Sequence, residues 1–236
     1  MSPSTITPPP FALGALLRGE AGTMAAWIRG WTAGRTWRQV AVIALGGGAF
    51  GAAMGAWRAP EQAAFAAVKL PLVLLGTAVG NALINGMLAP LLGLNLGLRG
   101  AFASVLMSFA LAAAILGAFS PLMAFLVWNL PPLLPGAAVN LAAHSVMLLT
   151  WVAVIALAGV MSNLRLLQLL RHLGGGPGPA RRILFAWLSV NLLLGAQLSW
   201  ILRPFIGTPS LPVEFLRADA LHGNFFESIL HTAHQL

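Results

Sequence analysis

The sequence predicts an all-α fold, a polytopic transmembrane helix bundle of about five spans, N-inside and C-outside. Three observations predict it. Apolar residues make up 58% of the chain and charged residues only 8%, against roughly 25% charged in ordinary soluble domains. No charged side chain interrupts the chain between Lys69 and Arg99, or between Arg99 and Arg165, and a bilayer span needs only about 20 consecutive apolar residues. The net charge of +8 rests on twelve arginines and one lysine, which stand singly or in pairs at the ends of apolar runs. Charges in those places fix the orientation of membrane proteins, and the chain has no aromatic-interleaved basic surface on which bases could stack. Nucleic acid is therefore not an expected partner.

Three regions follow in order: 1–37, 38–202 and 203–236. The first opens with Pro8, Pro9 and Pro10, which exclude a helix there, and it lacks the positive start of a cleavable signal. The first span is thus expected to act as an uncleaved targeting signal. From Phe11 onward, Leu13, Leu17, Met24, Trp27 and Ile28 alternate with Arg18, Glu20, Arg29 and Arg35. This pattern suits an amphipathic helix lying in the membrane interface, apolar side down.

The first span is expected over 38–57, anchored by Trp37 and Trp57 and bounded by Arg38 and Arg58. Gly47, Gly51 and Gly55 recur every four residues, a small-xxx-small face that lets another helix approach closely. The second span is expected over 70–92, with Pro71 in its first turn and Pro90 at its end. The third covers 101–127, with a kink or early stop near Ser120 and Pro121. After the proline-rich connection 128–136 the fourth runs over 138–162, and the fifth over 183–202 behind the flexible linker 174–179. With the N-terminus inside, nine cationic residues (Arg18, Arg29, Arg35, Arg38, Arg99, Arg165, Arg171, Arg181, Arg182) face the cytoplasm. Four (Arg58, Lys69, Arg203, Arg217) face outward.

Polar groups inside spans mark helix contacts or a pathway. Thr77, Asn81 and Asn85 form one stripe of the second span, beside a small-residue face at Gly76 and Gly80. The stripe reads either as the lining of a path for a small solute or polar headgroup, or as interhelical hydrogen bonding. Asn140 and His144 stand one turn apart at the start of the fourth span, and His144 titrates in the range useful for proton transfer. Ser104, Ser108, Asn191 and Gln197 read as contacts between helices. In the third region, Glu214, Phe215, Phe225 and Phe226 are placed to pack a stiff, proline-rich tail back onto the outer mouth of the bundle. Glu227, His231 and His234 share a helical face and, with His222, form a weak candidate zinc set that lacks any recognised ligand spacing.

Other chemistry is missing. The chain has no cysteine, so thiolate nucleophiles and disulfides are excluded. Its five acidic residues all lie outside the expected spans, which leaves no intramembrane carboxylate pair. No phosphate-cradling loop, nucleophile elbow or HExxH is present. The expected protein is not an enzyme and holds no cofactor.

Trp57-Arg-Ala-Pro-Glu-Gln-Ala, Val68-Lys-Leu-Pro-Leu, Leu202-Arg-Pro-Phe-Ile-Gly-Thr-Pro and Gly223-Asn-Phe-Phe-Glu resemble segments of a group of uncharacterised bacterial multi-pass membrane proteins over 57–227. The five-span, N-inside layout is similar to the Yip1 family, whose members are associated with membrane trafficking and organisation. The resemblance implies no functional residue. The leading expectation is an assembly or accessory subunit of a membrane complex or homo-oligomer, whose partners are membrane lipids and other membrane-protein subunits. The alternatives are a channel or transporter with its path along the second span, and lipid handling at the outer leaflet. The single lysine among many arginines points to the cytoplasmic membrane of a bacterium.

Overall fold

Long uncharged runs with no water to satisfy their peptide groups become helices. The computed structural model describes residues 13–93, 96–131, 141–174, 176–207 and 211–227. Among these there are seven helices and no strand: α1 (Leu13–Arg18), α2 (Ala21–Arg29), α3 (Ala33–Gly55), α4 (Pro60–Leu91), α5 (Leu98–Asn129), α6 (Leu141–Gly174) and α7 (Pro177–Ile201). Four of them, α4 to α7, are long and apolar enough to cross a bilayer, which makes this a multi-pass membrane protein. The first expected span, 38–57, corresponds to α3, whose 23 residues would reach about 34 Å at 1.5 Å per residue. It is less apolar than the others, because Arg35, Arg38 and Gln39 occupy its first turns and glycine and alanine fill its middle.

The helices overrun the expected boundaries. α4 starts at Pro60, whose missing N–H costs nothing in a first turn and is followed there by Glu61. Pro71 therefore lies inside the helix, not in its first turn. Pro121 does not stop α5, which continues to Asn129. A proline here removes the donor for the Gly117 carbonyl, and Ser120 Oγ supplies one instead at 2.7 Å. α6 continues past Arg165 to Gly174, and Pro177 already belongs to α7. Of the expected six-residue linker at 174–179, Gly174 and 177–179 are thus helical.

Glycines set how closely the helices approach. A Cβ at Gly46 would collide with the Ala113 carbonyl of α5, and one at Gly51 with the Ala66 carbonyl of α4. Gly55 meets Gln62 in the same way, and Gly47 packs on Pro71 and Leu74. As the numbers rise along α3 they fall along α4, so the two run antiparallel. Gly76 and Gly80 of α4 receive Leu198 and Leu194 of α7, again antiparallel.

One end of the bundle gathers the C-termini of α3, α5 and α7 with the N-termini of α4 and α6. Trp57 Nε1 donates to the Pro131 carbonyl at 3.0 Å, and the Trp57 ring stacks on His144 with centroids 5.7 Å apart. At the other end Arg165 Nη2 donates to the Leu17 carbonyl at 2.8 Å. The N-terminal segment is not one interfacial helix: α1 and α2 are separate, and Met24, Ala25, Trp27 and Ile28 are buried in the same core as Leu166, Leu170 and Trp187. Its apolar face is covered by protein instead of lipid. Glu20, just before α2, accepts hydrogen bonds from Arg18 and Thr23 that hold its carboxyl below the ordinary range.

Candidate functional site

The stripe on α4 divides. Asn81 and Asn85 are fully buried. Asn81 Nδ2 donates to the Trp187 carbonyl at 3.1 Å and to Asn191 Oδ1, both on α7. Asn85 Nδ2 donates to Asn81 Oδ1. Asn81 thus fastens α4 to α7, and Asn85 braces Asn81 from one turn away, its own Oδ1 left without a partner. Thr77, one turn on, is 3% exposed, and its Oγ1 has no hydrogen-bond partner. It is turned toward Gly195 of α7, where a Cβ would stand 3.6 Å from Oγ1.

Thr77 lines a groove of about 440 Å³ between α4, α5, α6 and α7. Val73, Phe109, Leu116 and Ala158 form much of its wall, and Ile155, Leu188 and Leu192, exposed on the outer surface, mark where it opens between α6 and α7. None of the residues lining it is ionisable. Its polar rim comprises Thr77, Ser108, Ser162, Asn163, Asn191 and Ser199. Several of these are already engaged: Ser162 Oγ and Asn163 Nδ2 donate to the Gly159 carbonyl, and Ser108 Oγ to that of Ser162. Asn191 accepts from Asn81, and among the described hydrogen bonds it appears in no other role. Its own amide N–H groups remain available. Thr77 lies near the middle of α4 and Asn191 near the middle of α7.

The other expected positions are scattered. Gly47, Gly51, Gly55, Gly76 and Gly80 all serve contacts within this one chain. His144 sits with Trp57 and Trp151 at the tail end of the bundle, away from the groove lining. Asn140, His231 and His234 lie outside the described residues. Glu227 Oε2 accepts from Asn224 Nδ2 at 3.3 Å, and among the described residues no group of three His, Asp or Glu is placed to hold a metal.

The tail turns back onto the bundle. Phe215 meets Phe65 edge to face at 5.5 Å, and Arg203 pairs with Asp219 at 3.0 Å. Sequence reasoning counted Lys69 as a boundary charge, yet it is fully buried. Its Nζ donates to the Pro204 carbonyl at 2.9 Å and to that of Glu214 at 3.5 Å, and lies over the Phe215 ring. Gln62, also fully buried, donates to the carbonyls of Pro204 and Phe205. In the sequence Gln62 and Lys69 stand far from Pro204, and nothing in their spacing foretells the contact. No family model matches the chain, and neither a curated protein nor a solved structure matches it.

Proposed function

We propose that this is a non-enzymatic protein of the bacterial cytoplasmic membrane that binds a lipid-like molecule in the groove between α4, α5, α6 and α7. The observation that carries the reading is an uncharged, largely apolar groove at bilayer depth, opening sideways, with an unpartnered hydroxyl in its wall. Its volume falls within the roughly 300–1,000 Å³ of small-molecule sites. A cleft of this kind in contact with acyl chains fills with apolar molecules, because it offers nothing to hydrate an ion.

The same proposal includes five crossings, N-inside and C-outside. Support comes from α3, which lies along α4 from Gly47 to Gly55, and from the charge bias. Nine of the cationic residues sit toward the α2 end of the bundle and four toward the tail end. The likeness to the Yip1 family rests on this layout. The glycine faces are taken up within the chain, so they lend no support to an accessory-subunit role. Asn81 and Asn85, both fully buried, lend none to an aqueous path along α4.

Extraction and mass spectrometry of the lipids that co-purify in mild detergent test the reading. Gly159 lines the groove, and a Cβ there meets nothing within 4 Å, so the backbone admits a side chain and Gly159→Leu is expected to occupy the groove. The wild-type protein is expected to retain one or a few uncharged lipids above their abundance in the membrane, and Gly159→Leu to lose them. Identical bulk-lipid profiles for the two proteins would overturn the proposal.

A further inference from the structure

Resting on the groove as a lipid site, we infer that its occupant is an uncharged lipid whose carbonyl oxygen is held at bilayer mid-depth between the Thr77 hydroxyl and the Asn191 amide. Buried hydroxyls in native proteins nearly always have a partner, and one left without is costly. Thr77 Oγ1 is such a group: it is closed off against Gly195 of α7, another residue of the groove lining, and a turn about the Cα–Cβ bond presents it to the groove. Thr77 is a threonine with no described role in holding helices together, in contrast to Asn81 one turn away.

The rim also fixes the polarity of the missing partner. Asn191 presents N–H groups, since its oxygen is occupied by Asn81, and Thr77 has a hydroxyl proton to give. Two donors on the lining of one groove suit a carbonyl oxygen, which carries two lone pairs. A phosphate or ammonium headgroup is excluded by the absence of any ionisable lining residue at that depth. Ester lipids keep their carbonyls near the interface, with the glycerol. Lipids whose carbonyl is carried on an uncharged ring or chain, such as prenyl quinones and long-chain ketones, can place it between Thr77 and Asn191, near the middles of α4 and α7.

Binding of two probes of matched tail, decylubiquinone and decylbenzene, to the purified full chain separates this inference from the broader reading. The retained probe is quantified after gel filtration in detergent equilibrated with it. Wild-type protein is expected to bind the quinone about tenfold more tightly than the hydrocarbon. Thr77→Val, which keeps the shape and removes the orphan hydroxyl, should lower quinone affinity about fivefold, leave decylbenzene unchanged, and keep its fold. Thr77→Ser should restore the preference. Equal affinity for both probes, unaffected by Thr77→Val yet lost in Gly159→Leu, would overturn the carbonyl inference and leave the lipid site standing. Binding of neither probe would overturn both.

Discussion

Thr77 and Asn81 occupy one stripe of α4, and their different surroundings give opposite predictions. Asn81 ties Asn85 to α7, so Asn81→Leu strands the Asn85 amide in a dry interface. Loss of about 1 kcal/mol is expected, read as a lower unfolding midpoint in detergent. Thr77→Val removes a buried hydroxyl that has no partner, so without ligand it is expected to raise that midpoint, by about 1 kcal/mol. A stabilising change that weakens binding is the signature of a group kept for a ligand. Lys69 holds the tail through carbonyls 135 and 145 positions along the chain. Lys69→Met is expected to loosen it, and faster tryptic cleavage after Arg217 would report this. The polar stripe was legible from its four-residue spacing. The burial of Lys69 was not, because a lysine before an apolar run looks the same whether water or a folded tail solvates it.

The long elements were legible because charge is excluded from hydrocarbon over the length of a span. Their ends were not, since a proline or arginine ends a helix only when nothing else satisfies the backbone or carries the charge outward. Ser120 satisfies the carbonyl freed by Pro121, and Arg165 reaches Leu17 of the N-terminal segment. The glycine repeat in α3 announced a close contact but not its partner, which proved to be α4 of the same chain. Gly51→Ala pushes a methyl group against the Ala66 carbonyl, an overpacking expected to cost about 1–3 kcal/mol. Gly34→Ala is the control in the same helix: a Cβ there meets nothing within 4 Å, and a gain of about 0.5–1 kcal/mol is expected. Parallel unfolding curves of the two variants check both signs.

At the scale of the whole molecule, the five crossings proposed above put the α2 end and the tail on opposite faces of the bilayer. The chain has no native cysteine, so single cysteines report topology directly. In intact cells a membrane-impermeant maleimide is expected to label Ala218→Cys in the tail and to spare His172→Cys, both at exposed positions. The groove itself was illegible in the sequence. Its walls come from four helices, and Thr77 and Asn191 are brought together only by how α4 and α7 pack. Whether lipid or water fills that space decides the account. A nitroxide label on Gly159→Cys in liposomes measures it through collisions with oxygen, which concentrates in hydrocarbon, and with a nickel chelate, which stays in water. High oxygen and low nickel accessibility is the predicted result, and free access of the nickel chelate would contradict a lipid-binding groove and make it an aqueous path.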